Sequence, residues 1–177
     1  MKKSILLFAI FFAFNNLNAQ FLKFGLKAGA NFANLTGTDA DGFDGLTSFH
    51  FGGVIEIKAL QNLSIQPELL YSSQGAKSDS FDDIKFDYVT VPVLAKFYLI
   101  TDKLSLDVGP QFAFLINDNV SNTFETKSFD FAACGGLGIN FSKNIFAQAR
   151  YVVGLTDTTK DAEVKNSVIQ LSLGYRF

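Results

Sequence analysis

Few side chains in this sequence could do chemistry. His50 is the single histidine, with Ser48 two positions before it and Asp41 and Asp44 near it in the chain. A nucleophile–base–acid relay needs the base within hydrogen-bond reach of the nucleophile and a third group to orient it. Nearness in sequence does not supply that geometry, and no hydrolase motif surrounds His50, so it reads as a polar residue near a strand top and no catalytic residue is expected. Asp39, Asp41 and Asp44 suggest calcium, but the spacing lacks the downstream glutamate of an EF-hand loop. With Asp79, Asp82 and Asp83 they read as solvated acidic loops. Gly135-Gly136-Leu137-Gly138 is followed by no helix, so it is not a phosphate loop; inside a strand such a run marks bends and close packing. The one cysteine, Cys134, excludes an intramolecular disulfide, a cysteine-based zinc site and a CxxC pair, and it behaves as a small buried hydrophobe. No metal and no cofactor is expected.

The elements that position these residues start with the compartment. Lys2 and Lys3, the apolar run Ile5 to Phe14 and the small-residue exit Leu17-Asn18-Ala19 form a cleavable signal peptide over residues 1–19. Ten apolar residues cannot cross a bilayer core of about 30 Å as a helix, and no later run is long enough to try. The exported chain, residues 20–177, is one domain with 13 basic and 17 acidic side chains, which excludes the basic face that nucleic acid needs. Of the 177 residues, 48% are apolar, 18% are charged and 21 are Phe. That charge fraction falls below the roughly 25% of soluble domains, and the aromatic load exceeds what a core this small can bury.

Period-two alternation recurs along the chain. It covers Lys23–Ala33, Phe49–Ala59, Leu63–Ser73, Ile84–Ile100, Leu104–Leu115, Ser128–Phe141, Ile145–Leu155 and Ser167–Phe177. Phe24, Leu26, Ala28, Ala30 and Phe32 share one face of the first segment, opposite Lys27, Gly29 and Asn31. The last places Ile169, Leu171, Leu173, Tyr175 and Phe177 opposite Gln170, Ser172, Gly174 and Arg176. The connectors alternate in length. Gln61-Asn62, Asp102-Lys103 and Ser142-Lys143-Asn144 are tight, whereas Leu35–Ser48, Gly75–Asp83, Ile116–Lys127 and Thr156–Asn166 are long and polar. Short periplasmic turns alternating with longer outer loops are the pattern of outer-membrane barrels.

Polarity separates a membrane barrel from a soluble one. One face of the strands is nearly free of charge; the other carries Lys27, Glu56, Lys58, Glu68, Lys96, Asp107, Asp130, Arg150 and Arg176. Turning the apolar face to water would expose a patch far larger than monomers tolerate. Turning the charged face inward buries five basic and four acidic groups, which is tolerable when they pair. The expectation is an all-β, eight-stranded, antiparallel up-and-down transmembrane β-barrel whose lumen is plugged by that polar network, since eight strands leave room only for side chains. The interleaving of signs argues for ion pairs over an acid/base or metal cluster of Glu56, Glu68, Asp107 and Asp130.

Taken in order, several motifs resemble a family, the outer-membrane β-barrel domain proteins of Bacteroidetes called PorT-like. They are Lys23-Phe24-Gly25-Leu26-Lys27-Ala28-Gly29, Tyr88-Val89-Thr90-Val91-Pro92-Val93-Leu94, Asp107-Val108-Gly109-Pro110-Gln111 and Gly135-Gly136-Leu137-Gly138. Arg150-Tyr151 with Gly154-Leu155, and the terminal Gly174-Tyr175-Arg176-Phe177, complete the set. The resemblance covers residues 20–177 and implies an eight-stranded barrel in the cell outer membrane with no settled activity. Leu173, Tyr175 and Phe177, alternating to the end of the chain, look like the signal that barrel-assembly machinery reads in a last strand. The expected role is non-enzymatic, in envelope structure or surface interaction through the outer loops. Expected partners are outer-membrane lipid, the assembly machinery during insertion, and an extracellular or secretion-machinery protein. An accessory role in protein export is the alternative; an envelope lipid-modifying enzyme is a remote one.

Overall fold

Alternation at period two becomes strands wherever the chain is described, which in the computed structural model is residues 21–36, 43–78, 84–119, 127–156 and 165–177. The strands are β1 (Leu22–Thr36), β2 (Phe43–Leu60), β3 (Leu63–Ser78), β4 (Ile84–Ile100), β5 (Leu104–Asp118), β6 (Phe129–Asn140), β7 (Ile145–Gly154) and β8 (Lys165–Arg176). Each pairs antiparallel with its neighbour in sequence, and β8 returns to β1, so the sheet closes as an up-and-down barrel. Closure leaves no sheet edge and satisfies the backbone N–H and C=O groups between strands, the condition for crossing hydrocarbon. The segment read as a signal peptide and Asp39, Asp41, Asp79, Asp82 and Asp83 lie outside the described residues.

Alternation sorts the side chains as its period requires. Leu26, Leu69, Leu106, Leu137, Leu171 and Leu173 point outward and are exposed. Aromatic rings edge this belt at both ends. Phe24, Phe97, Phe141, Tyr175 and Phe177 lie toward the short turns; Phe32, Phe49, Phe51, Phe114, Phe129 and Tyr151 lie toward the long connections. These are the two interfacial girdles of a membrane barrel. Tilted cross-strand ring pairs join the second girdle, as in Phe51–Tyr71 at 5.4 Å and Phe114–Phe129 at 5.5 Å between ring centroids.

The tight turns are locally specified. Asp102 adopts a left-handed φ of 54°, a conformation that aspartate tolerates better than most residues, and Lys103 N–H closes the turn onto Ile100 O at 2.9 Å. In the β6–β7 turn the Ser142 hydroxyl accepts the N–H groups of Asn144 and Ile145 at 3.2 and 3.0 Å. Register shifts in β2–β3 and β4–β5 fall between Gly45 and His50, Lys58 and Leu60, Asp87 and Tyr88, and Tyr98 and Ile100.

The strands run further than alternation alone marks them. β2 begins at Phe43, β3 ends at Ser78 and β5 ends at Asp118, carried by pairs such as Phe43↔Ser78 and Phe86↔Asp118. In these extensions burial no longer follows a period of two: Gln74, Gly75 and Ala76 are buried in succession, while Ile116 and Asn117 are both exposed, so the ladders continue without apolar alternation.

The apolar belt yields a direct test. Leu171→Arg, in the middle of β8 and half exposed, should cost about 2–4 kcal/mol of unfolding free energy if it lies near mid-bilayer. Urea titration of the protein folded in lipid vesicles measures it, and a cost near zero would contradict the lipid assignment of that face.

Candidate functional site: the lumen

The inward positions of the strands carry a buried polar network with Glu68 at its hub. Its Oε2 lies 2.8 Å from Lys27 Nζ and accepts from Arg150 Nη1 at 3.0 Å, while Oε1 accepts from Arg150 Nη2 at 2.7 Å. Gln66 Nε2 adds a donor to Oε1 at 2.6 Å. β1, β3 and β7 each supply one ion, so the hub ties the barrel wall across its bore. Lys27 also donates to Gln148 Oε1 at 3.2 Å; Gln148 Nε2 in turn donates to Asp107 Oδ2 at 2.8 Å. Asp107 lies 3.5 Å from Lys96 and accepts the Ser105 hydroxyl at 2.7 Å. Burying an ion is costly unless pairing and hydrogen bonds both compensate it, and the two-pronged Arg150–Glu68 contact is the strongest form of such pairing.

Below the hub, toward the short turns, Arg176 packs on the Phe146 ring with its guanidinium 4.1 Å from the centroid. It lies 3.0 Å from Glu56 and donates to Asn140 Oδ1 at 2.9 Å; Tyr98 Oη donates to the other Glu56 oxygen at 2.6 Å. The ring needs a glycine opposite, because a Cβ built on Gly174 would stand 2.1 Å from Phe146 Cζ. Lys58 departs from the expected lumen set. Just before the β2–β3 turn, its inward-pointing chain opens to solvent, and it pairs with Asp102 at 3.1 Å with its side chain 30% exposed.

Above the hub, His50 is not a rim residue. It is buried, and its partners are Asn31 and Ser172 rather than Ser48 or an acid. Asn31 Nδ2 donates to Phe49 O and Ser73 O, which turns Oδ1 toward His50 Nδ1 at 2.7 Å. His50 Nδ1 is therefore the donor, and Nε2 accepts the Ser172 hydroxyl at 2.8 Å. That order of groups resembles a nucleophile–base–orienter relay, but Ser172 is 5% exposed, His50 1% and Asn31 0%. Sequence reading missed both partners because β1 and β8, which supply them, are the two ends of the barrel domain. Ser48 instead donates to Ser73 O at 2.6 Å. Asp41 lies outside the described residues.

Toward the long connections an apolar layer of Ala33, Leu94, Ala132, Cys134, Val152 and Val168 fills the lumen. Asp130 stands beyond it, accepting from Thr156 Oγ1 at 2.5 Å and Asn166 Nδ2 at 3.1 Å, so it does not join the Glu68 hub. Leu173, Tyr175 and Phe177 all face outward and exposed at the short-turn end, and Phe177 N–H reaches Phe24 O at 2.9 Å. No group of three metal-binding side chains comes together among the described residues.

Removing one ion from the hub should be far more damaging than removing one at the rim. Glu68→Gln strands Lys27 and Arg150 without their shared carboxylate and is expected to cost about 3–5 kcal/mol. Lys58→Gln should cost less than about 1 kcal/mol. The midpoint of the heat-modifiable mobility shift on gels ranks the two, and equal midpoints would show that the hub carries no special share of stability.

The outer membrane protein beta-barrel domain model matches residues 15–160. No functionally curated protein sequence matches the chain. Among solved structures, Neisserial surface protein A superposes with a TM-score of 0.63 at 12% identity, covering 87% of this chain and 97% of that one. Ail, the attachment invasion locus protein of Yersinia pestis, crystallised with the heparin analogue sucrose octasulfate, gives a TM-score of 0.57 at 18% identity, covering 88% and 99%. These likenesses concern the fold. Together with the closed antiparallel wall, the apolar belt and the polar lumen, the family match makes this chain an integral outer-membrane protein belonging to the outer membrane protein beta-barrel domain family.

Proposed function

We propose that the protein is non-enzymatic and works at its outer surface, the lumen serving as a strut between the walls. The observation that carries this reading is the filled bore. Lys27, Glu56, Glu68, Lys96, Asp107, Arg150 and Arg176 are each at most 4% exposed and are bonded to one another or to neighbouring strands, so a solute has no path and the His50 relay no substrate access. What remains available is the outer end, where β2 to β5 extend. Residues 36–48, 77–87, 116–128 and 156–166 together carry twelve acidic and five basic side chains. Ail was crystallised with a polysulfated ligand; the charge here has the wrong sign for one and suits a cationic partner surface.

The same reading includes export by cleavage after Ala19, leaving residues 20–177, and recognition of Leu173, Tyr175 and Phe177 by barrel-assembly machinery. The strand motifs that liken the chain to PorT-like barrels of Bacteroidetes support a second reading, accessory service in protein export. Cross-linking from the β2–β3 turn to secretion-machine components would favour that one. A change in envelope lipids that depends on His50 would instead revive the lipid-enzyme alternative.

The surface reading is tested in cells and in planar bilayers. A membrane-impermeant maleimide should label Asp41→Cys on intact cells and Asn62→Cys only after permeabilisation. The folded protein should show no steady unit conductance. The reverse labelling pattern, or a stable open channel, would overturn the proposal.

A further inference from the structure

On the lipid face a furrow runs along β7. Its floor is Ala147 and Ala149, and the registers Ile139↔Ala147↔Leu173 and Leu137↔Ala149↔Leu171 set a taller side chain on each side of each alanine. The depression is about 610 Å³, inside the roughly 300–1,000 Å³ range of small-molecule clefts. Its lining is almost wholly apolar, and its place in the belt suits a hydrocarbon chain.

The furrow ends at the short-turn rim beneath two lysines. Lys143 lies in the β6–β7 turn and Lys103 in the β4–β5 turn, both exposed. The two turns are tied together: Asn140 N–H donates to Lys103 O at 2.8 Å and Asn140 Nδ2 to Asp102 O at 2.9 Å. The acidic side chain of this rim, Asp102, is paired with Lys58, and Lys103 and Lys143 stand exposed on the two turns at the furrow's end. Phe141, exposed beside Lys143, marks the interfacial depth. In outer-membrane barrels this end faces the periplasmic leaflet.

We propose that this furrow and its two lysines form a binding site for one anionic glycerophospholipid of the periplasmic leaflet. One acyl chain lies along Ala147 and Ala149, and the headgroup phosphate sits between the Lys103 and Lys143 ammonium groups. A zwitterionic lipid fills the furrow equally well, but its own ammonium offsets the attraction of the lysines. Discrimination therefore comes from the rim and retention from the furrow.

Native mass spectrometry of the folded protein in detergent, with dioleoylphosphatidylglycerol and dioleoylphosphatidylcholine offered separately, tests both parts. The anionic lipid should be retained about thirtyfold more strongly, the scale expected of two lysines at a membrane surface. Lys103→Gln with Lys143→Gln should bring the two lipids level. Ala147→Leu with Ala149→Leu should weaken both. Equal retention by the unaltered protein, a preference that survives loss of the lysines, or a filled furrow without effect would each overturn the site. If the furrow variant fails the heat-modifiability check for folding, the lysine pair decides alone, since both residues lie on exposed turns.

Discussion

The bilayer core offers no water to a peptide group, and the rest of this structure follows from that constraint. Every N–H and C=O in the belt must find its partner in the next strand, so β8 must come back to β1. Once eight strands close, their inner faces converge on a bore that side chains fill. Period-two geometry then commits half of each strand to lipid and half to that bore. A polar filling is possible only because the strands bring ions of opposite sign together, as Lys27, Glu68 and Arg150 show.

An apolar filling would avoid the cost of desolvating these ions, and a well-packed apolar replacement for a buried ion pair is often no less stable. It would also make both faces of every strand alike. A one-residue slip exchanges the faces of a strand; here it would turn Glu68 or Arg150 toward hydrocarbon and Leu69 or Tyr151 into the bore. The lumen charges thus penalise wrong registers more than they reward the right one. The fit of Phe146 against Gly174 acts in the same direction, because any side chain in place of that glycine would collide with the ring.

Strand number, facing and sidedness were legible in the sequence because each is a pattern along one strand. Ala147, Ala149 and Tyr151 alternate against Gln148 and Arg150 whatever stands beside them. Partnership across the bore was not legible, because it depends on strand stagger and side-chain reach. Lys58 has the same inward parity as Glu56, yet two residues nearer the turn it meets water and Asp102. Asp130 shares a face with Cys134 and Gly136, yet it lies beyond the apolar layer. His50 sits near Ser48 in the chain, but a closed barrel set it against Ser172 on the last strand. The extensions of β2, β3 and β5 left no mark because burial there no longer follows a period of two.

Neisserial surface protein A and Ail share this fold at identities of 12% and 18%, as expected when the bilayer dictates pattern rather than residue. Any outward apolar residue serves as lipid surface, and many arrangements of paired ions fill a bore. Sequence in such a wall is free to drift while alternation holds. The residues that distinguish one barrel of this kind from another therefore gather where the bilayer stops dictating. In this protein those places are the acidic outer connections and the lysine-bearing turns at the other rim. The two ends differ in charge because they face different surroundings. Between them stands a bore filled by buried, paired side chains, so each end has to be understood through what it touches.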